Sequence, residues 1–207
     1  MPYSKAHKAR TRAKIVEAAT HAFRAEGMRG VGIPQVMRQA GLTHGGFYAH
    51  FESKDELAAE ACTASVADSV ERLVRKAART SPDDAVRAII SLYLTTLHRD
   101  TPASGCMIPA LAGEIAHSPA VVRAAFTQGL ADYARQLGAY LPTSAGSTSE
   151  RQTDDALVLL AGMAGALLLA RAVDDPEMSE RILDTARAFY TRTYGGGTDA
   201  DEPSRAG

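Results

Sequence analysis

The 207 residues predict an all-α chain of about nine helices, and three observations carry that expectation. Apolar residues recur at i, i+3, i+4 spacing in nearly every segment, no run alternates apolar with polar, and no Asn-Gly or Asp-Gly pair marks a hairpin. Hydrophobic residues make up 45% and charged ones 23%, enough apolar surface for a real core, so disorder over most of the chain is excluded. The length predicts one or two domains and excludes repeat arrays.

Ile15, Ala18, Ala19, Ala22 and Phe23 follow the helical rule and define a first helix, which Gly27 ends as a C′ residue. Residues 1–9 ahead of it are expected as a flexible basic arm. A short second helix is expected over 33–40; Gly41 breaks the pattern, and Thr43 offers an N-cap for a third helix through about His50. Ser53-Lys54-Asp55-Glu56 reads as a capping box that starts a long fourth helix, to about Arg79. Ser81-Pro82 and Ser118-Pro119 place Ser at N-cap and Pro at N1, so helices start near Pro82 and Pro119. Between them, 101–105 is expected as a loop and 107–116 as a shorter helix. Residues 143–149 (TSAGSTS) read as a flexible connection to a last helical pair, 154–173 and 176–194. The tail 196–207 lacks any core former and is expected to be disordered. This gives expected domains over 10–52 and 53–195.

Cys62 and Cys106 cannot form a disulfide framework or a four-thiolate zinc site, and no signal-peptide pattern opens the chain. A reducing compartment, the cytoplasm, is therefore expected. The longest apolar run, 156–170, is 15 residues, short of the roughly 20 that cross a bilayer, so no membrane partner is expected. The net charge of −1 hides a strong partition. Residues 1–51 carry eight Lys or Arg against two Glu, a balance of +6, while the remainder carries −7. A basic end on an acidic body suits a polyanion, through counterion release, although a solvated basic face has the same composition.

Residues 33–51, IPQVMRQAGLTHGGFYAHF, have the layout of a helix-turn-helix, with Leu42, Phe47 and Phe51 packing the second helix on the first. Gly45-Gly46 costs that helix about 2 kcal/mol of propensity relative to alanine. Either the absent side chains let the backbone approach a phosphate or a thymine methyl, or they admit close packing against another helix. Tyr48 is a phosphate ligand or a core tyrosine; Lys54 brings charge to a helix start; His44 and His50 are candidates for base edges or phosphates.

From Thr11 to Ala59 the chain resembles the DNA-binding domain of TetR-family transcriptional regulators. The match rests on the helix at 15–23, Gly27, Ala40-Gly41-Leu42-Thr43, Gly46-Phe47-Tyr48, His50-Phe51 and Ser53-Lys54-Asp55-Glu56-Leu57. The resemblance implies a homodimer on a partly palindromic double-stranded operator, repressing until a small-molecule effector binds. Thr43, His44, Gly45 and Gly46 fall where that family's recognition helix approaches bases, and Tyr48 and Lys54 where it holds phosphate; Arg12, Gln35 and His50 complete the expected DNA-binding set. Two departures stand out. Gly32-Ile33-Pro34 replaces the usual hydroxyl cap of the second helix, and Ala49 stands where a larger residue is common.

An effector pocket is expected among the middle helices, with Leu92, Tyr93, Leu97, Cys106, Met107, Phe126, Leu130 and Tyr133 as candidates, residues that would equally serve as plain core. Ser104-Gly105-Cys106 with Glu114 is similar to a stretch in the electrophile-responsive, N-ethylmaleimide-sensing members of the family. This makes an electrophile or oxidant a candidate effector and Cys106 a candidate sensor, its thiolate favoured by a helix dipole; a small buried core residue is the alternative. The penultimate helix is apolar on nearly all faces, and with the last helix it is expected to form an intersubunit bundle through Leu159, Gly162, Met163, Ala166 and Phe189. Two other functional classes compete: a helical interaction module without DNA binding, and a di-iron enzyme suggested by the single Glu114-x-x-His117 unit. No cofactor or metal and no catalytic residue is expected.

Overall fold

The computed structural model describes residues 5–142 and 148–195; the expected tail at 196–207, the first four residues of the expected arm, and 143–147 lie outside the described residues. Helices α1 (Lys5–Glu26) and α2 (Ile33–Gln39) are followed by a six-residue 3-10 helix, His44–Ala49. Then come α3 (Lys54–Ala77), α4 (Ala85–Tyr93), α5 (Thr96–Asp100), α6 (Ile108–Ile115), α7 (Ala120–Gly138), α8 (Ser149–Ala172) and α9 (Pro176–Tyr194). No strand occurs among the described residues.

Helix α1 starts at Lys5, so residues 5–9, expected within the flexible arm, continue the helix with their side chains in solvent. Lys5, Ala6, Lys8 and Ala9 are strong helix formers, and α1 is already nucleated by its buried inner face. That face holds Ile15, Ala19, Ala22 and Phe23. Gly27 ends α1 as expected, at φ +80°, its N–H donating to the Phe23 carbonyl at 2.9 Å. A Cβ at this position would run into the Glu114 carboxylate of α6, whose Oε2 accepts the Arg29 N–H at 3.0 Å. The turn after α1 is thus gripped from the other half of the molecule.

Helix α3 is capped as its sequence indicates. Ser53 Oγ accepts the Glu56 N–H at 3.1 Å, and Glu56 returns a bond to the Glu52 N–H at 2.7 Å, one residue ahead of the cap. At Pro82 the expected α-helix begins as a 3-10 turn, Pro82–Asp84, because the Ser81 hydroxyl donates to Asp84 and caps no backbone N–H. The periodicity gives no notice of α5, which stands on a local cap, Thr95 Oγ1 accepting the His98 N–H at 3.1 Å. The expected loop at 101–105 contains a short 3-10 turn, Pro102–Ser104. Helix α8 starts at Ser149 rather than 154, since Thr148 Oγ1 accepts the Arg151 N–H.

Helix α3 is the spine: α1 packs along one side of it and α7 along another, with α8 and then α9 layered beyond α7. One buried cluster runs from Ile15 and Phe23 through Leu57, Val66 and Leu73 to Leu159, Met163 and Leu183. Helix α8 is long and apolar enough to cross a membrane, yet Ala156, Leu159, Leu160, Met163 and Leu167 fill the core of this fold.

Two glycine variants test the turns by urea unfolding. Gly41 also has positive φ, +71°, with open space around it, so Gly41→Ala is expected to lose about 1–2 kcal/mol. Gly27→Ala is expected to lose more, with the excess over Gly41→Ala shrinking in a Glu114→Ala background; equal costs would show that the carboxylate does not press on the turn.

Candidate nucleic-acid interface and ligand cavity

The short helices after α1 expose a polar ledge over an apolar base. Phe47 is buried and stacks on Phe51 at 5.5 Å between centroids, which fixes the 3-10 helix against α1 and α2. The third helix was expected as an α-helix; two consecutive glycines offer little to stabilise a full α turn, and the segment adopts the tighter form. Thr43, His44 and Gly45 are exposed, and Tyr48 is 65% exposed, so Tyr48 is no core tyrosine. A Cβ on Gly45 would meet nothing within 4 Å, and Gly46 would make only ordinary contacts with Met37 and Thr43. Packing inside the chain therefore does not require glycine at 45, nor does φ, since among the described residues only Gly27 and Gly41 are positive.

The other candidates for this face divide. Lys54 is half-buried at the first turn of α3. Gln35 donates to Glu26 of α1 at 2.7 Å. Arg12 is turned inward: it pairs with Glu56 and Glu60, donates to the His50 carbonyl, and lies 4.0 Å over the Phe51 ring. Its charge is spent on joining α1 to α3 and to the end of the 3-10 helix. His50 is half-buried with Nδ1 unpartnered; burial, then Lys8, Arg12 and His7, lowers its pKa. Between α1 and the 3-10 helix lies a hollow of about 360 Å³, bordered by Lys8, Thr11, Thr43, Ala49 and His50, where the small Ala49 leaves room. Lys5, Lys8, Arg10 and Lys14 stand exposed along the adjoining length of α1.

In the second half, α3, α4, α5, the 104–106 turn and α7 enclose a cavity of about 380 Å³. Leu92, Tyr93, Leu97, Cys106 and Tyr133 line it, as the sequence suggested. Met107, Phe126 and Leu130 do not: Met107 packs against Cys62 in the core, 3.7 Å between sulfurs, and Phe126 and Leu130 lie against the core from α7. Cys106 is 4% exposed, and burial pushes its thiol up, which outweighs the nearby start of α6.

Polar residues that sequence patterns did not single out complete this region. His98 Nδ1 lies 2.7 Å from the Tyr93 carbonyl, and its Nε2 accepts the Cys106 N–H at 2.9 Å, an arrangement that requires the neutral ring. Burial pushes its pKa down to about 4. Arg24, on α1 and only 8% exposed, donates to the Gly105 carbonyl at 3.0 Å and to Ser65 at 3.3 Å. Arg72 reaches the same carbonyl at 3.4 Å. The cavity wall is thereby tied directly to α1, and Glu114 makes a second tie through Arg29. Nothing in the sequence separates Arg24 from the exposed arginines around it.

Helices α8 and α9 turn an apolar face outward. Leu157, Val158, Leu168, Leu169, Met178 and Phe189, six of the eleven exposed large hydrophobics, lie on these two helices. Of the expected interface set, Phe189 is 49% exposed, and Gly162 and Ala166 line the groove between the helices. Leu159 and Met163 are fully buried in the chain's own core instead, on the side of α8 turned away from the exposed Leu157 and Leu168. Gly162 is small for an intrachain reason, as a Cβ there would strike Tyr190, whereas Gly165 faces open space.

Acid titration tests the His98 arrangement. The unfolded chain takes its proton near pH 6.5 and folded His98 only near pH 4, so stability falls as pH drops through that window, by up to about 3 kcal/mol at its foot. Urea midpoints measured from pH 7 to 4 should fall less steeply for His98→Gln than for the parent; parallel curves would show that the ring titrates normally.

Comparisons with known proteins agree with this geometry. Residues 15–61 match the model of bacterial regulatory proteins of the tetR family, and residues 82–186 match the tetracyclin repressor-like C-terminal domain. The HTH-type transcriptional regulator LmrA of Bacillus subtilis is 26% identical over 168 residues, 77% of this chain and 86% of LmrA. Reduced NemR of E. coli superposes with a TM-score of 0.68 at 22% identity, covering 88% of this chain and 96% of NemR. A TetR-family regulator from Cytophaga hutchinsonii gives 0.72 at 19% identity, covering 93% and 98%. With both halves matched in order, the second over half of its length, the chain belongs to the TetR family of ligand-responsive, DNA-binding transcriptional regulators.

Proposed function

We propose that this chain acts in the cytoplasm as a homodimeric repressor that leaves a partly palindromic operator when a small molecule enters the cavity beside the 104–106 turn. Its DNA-binding domain is 10–52 and its regulatory domain 53–195. The observation that carries the proposal is Arg24, a buried cation of α1 whose strongest partner is a carbonyl of the cavity wall. A ligand that displaces this wall acts on α1, the helix that braces the recognition turn through Arg12, and it shifts the equilibrium by its differential affinity for the two arrangements.

Thr43, His44, Gly45, Gly46 and Tyr48 form the groove-facing set and Lys54 holds phosphate. Arg12 and Gln35 position the turn from within, and His50 supports it as a neutral ring. The outward face of α8 and α9, centred on Val158, Leu169 and Phe189, joins two copies so that recognition turns sit about 34 Å apart. The buried Cys106 favours a non-covalent effector over an electrophile or oxidant.

Fluorescence anisotropy on duplexes from the region upstream of the gene tests DNA binding. Specific binding with log affinity falling steeply against log salt is expected; salt-indifferent or absent binding would favour the interaction module. Gly45→Ala should leave the free protein as stable as the parent or about 1 kcal/mol more so, yet weaken operator binding at least tenfold. Loss of stability would instead assign Gly45 a structural role. Leu169→Glu is expected to give a monomer in sedimentation that no longer binds the operator, and a dimer that persists would overturn the proposed interface. Under native conditions at pH 7, N-ethylmaleimide should leave Cys106 unmodified by mass spectrometry, and rapid labelling coupled to operator release would restore the electrophile sensor.

A further inference from the structure

The cavity is electrostatically one-sided. From α3 it is faced by Arg72; from α4 by Tyr93, from α7 by Tyr133 and from the 104–106 turn by Cys106, all three held protonated by burial. From α5 comes His98, neutral because both ring nitrogens are committed as described. Among the described residues, Arg72 is therefore the one formal charge on the lining at neutral pH, and no carboxylate lines it. Arg24 and Arg171 add positive potential from behind the 104–106 turn, bonded to backbone carbonyls. None of the three arginines has a carboxylate within ion-pair distance among the described residues; Asp68 and Asp100 act on Arg24 and Arg171 only from farther away.

Arg72 is also incompletely used. One terminal nitrogen donates to Ser69 Oγ at 3.1 Å and weakly to Gly105, while its Nε and other terminal nitrogen donate to no described residue. Tyr93, 6% exposed, has a buried hydroxyl that faces the Cys106 sulfur. A half-buried guanidinium without a counterion, in a cavity that no carboxylate lines among the described residues, is an arrangement that an oxyanion completes. Leu73, Ile89, Leu92 and Leu97 make the aliphatic part of the wall, and the hydroxyl residues Ser69, Thr95, Thr101 and Ser104 also line it.

We propose that the cavity selects a small amphipathic acid, its carboxylate or equivalent oxyanion seated on Arg72 and its apolar body against Leu73, Ile89, Leu92 and Leu97. This rests on the cavity being the effector site, as proposed above. It also supplies a consequence for signalling. The Gly105 carbonyl is shared by Arg72 and Arg24, so an anion that draws Arg72 towards itself leaves that carbonyl to Arg24 alone, and the grip on α1 changes.

The experiment compares two fluorescent probes that differ by one sulfonate, 8-anilinonaphthalene-1-sulfonate and N-phenyl-1-naphthylamine, titrated against the full chain. The sulfonate is expected to bind at least tenfold more tightly. Arg72→Gln should erase that preference without changing the neutral probe, and Arg72→Lys should retain most of it; circular dichroism confirms that each variant is folded. Leu92→Trp, which narrows the cavity from its exposed rim, should weaken both probes. Equal affinities that Leu92→Trp still weakens would overturn the acid preference and leave the effector site standing. A sulfonate preference that survives Arg72→Gln would place the anion elsewhere and overturn the assignment. Binding of either probe untouched by both variants would overturn the acid preference and the effector site together.

Discussion

A buried guanidinium must have its charge answered, and in this fold the Arg24 charge on α1 is answered largely by the Gly105 carbonyl across the domain boundary. Burial and the neighbouring Arg72 make Arg24 a weaker base than a free arginine, so the contact is held against a desolvation cost. Breaking it without replacement would strand a cation in low dielectric, which costs several kcal/mol. The halves are thus joined by a directional bond as well as by apolar packing. Glu114 reinforces the seam where it is most compact, with its carboxylate against Gly27 and the Arg29 N–H.

The recognition face follows a different economy. Its shape comes from beneath: Phe47 on Phe51, Arg12 bridging two carboxylates and the His50 carbonyl, and the α3 cap. Arg12 and Gln35 bond to Glu56, Glu60 and Glu26 within the chain, while Thr43, His44, Gly45 and Tyr48 stand exposed.

Helix α8 shows how one apolar sequence serves two surfaces. Leu159, Met163 and Leu167 fill the chain's own core, while Val158, Leu168 and Leu169 on the opposite stripe face outward beside Phe189. A helix of uniform hydropathy carries no marking for which stripe is which. Only the direction in which α7 approaches it decides.

The helices, the turn at Gly41, the capping of α3 and the basic amino-terminal end were legible in the residue order, because propensity, caps and positive-φ glycines act over a few neighbouring positions. Part of the cavity lining was legible too, since Tyr93 and Tyr133 sit on inward stripes of their helices, while Leu92 and Leu97 stand at its exposed rim and Cys106 in the adjoining turn. Whether Arg12 faces solvent or two glutamates, whether Cys106 is a reactive thiolate or a buried thiol, and which arginine ties the cavity to α1 were decided by packing. Charge and burial depend on groups 38 to 81 positions away along the chain, and no local pattern encodes what those distant groups place around a side chain.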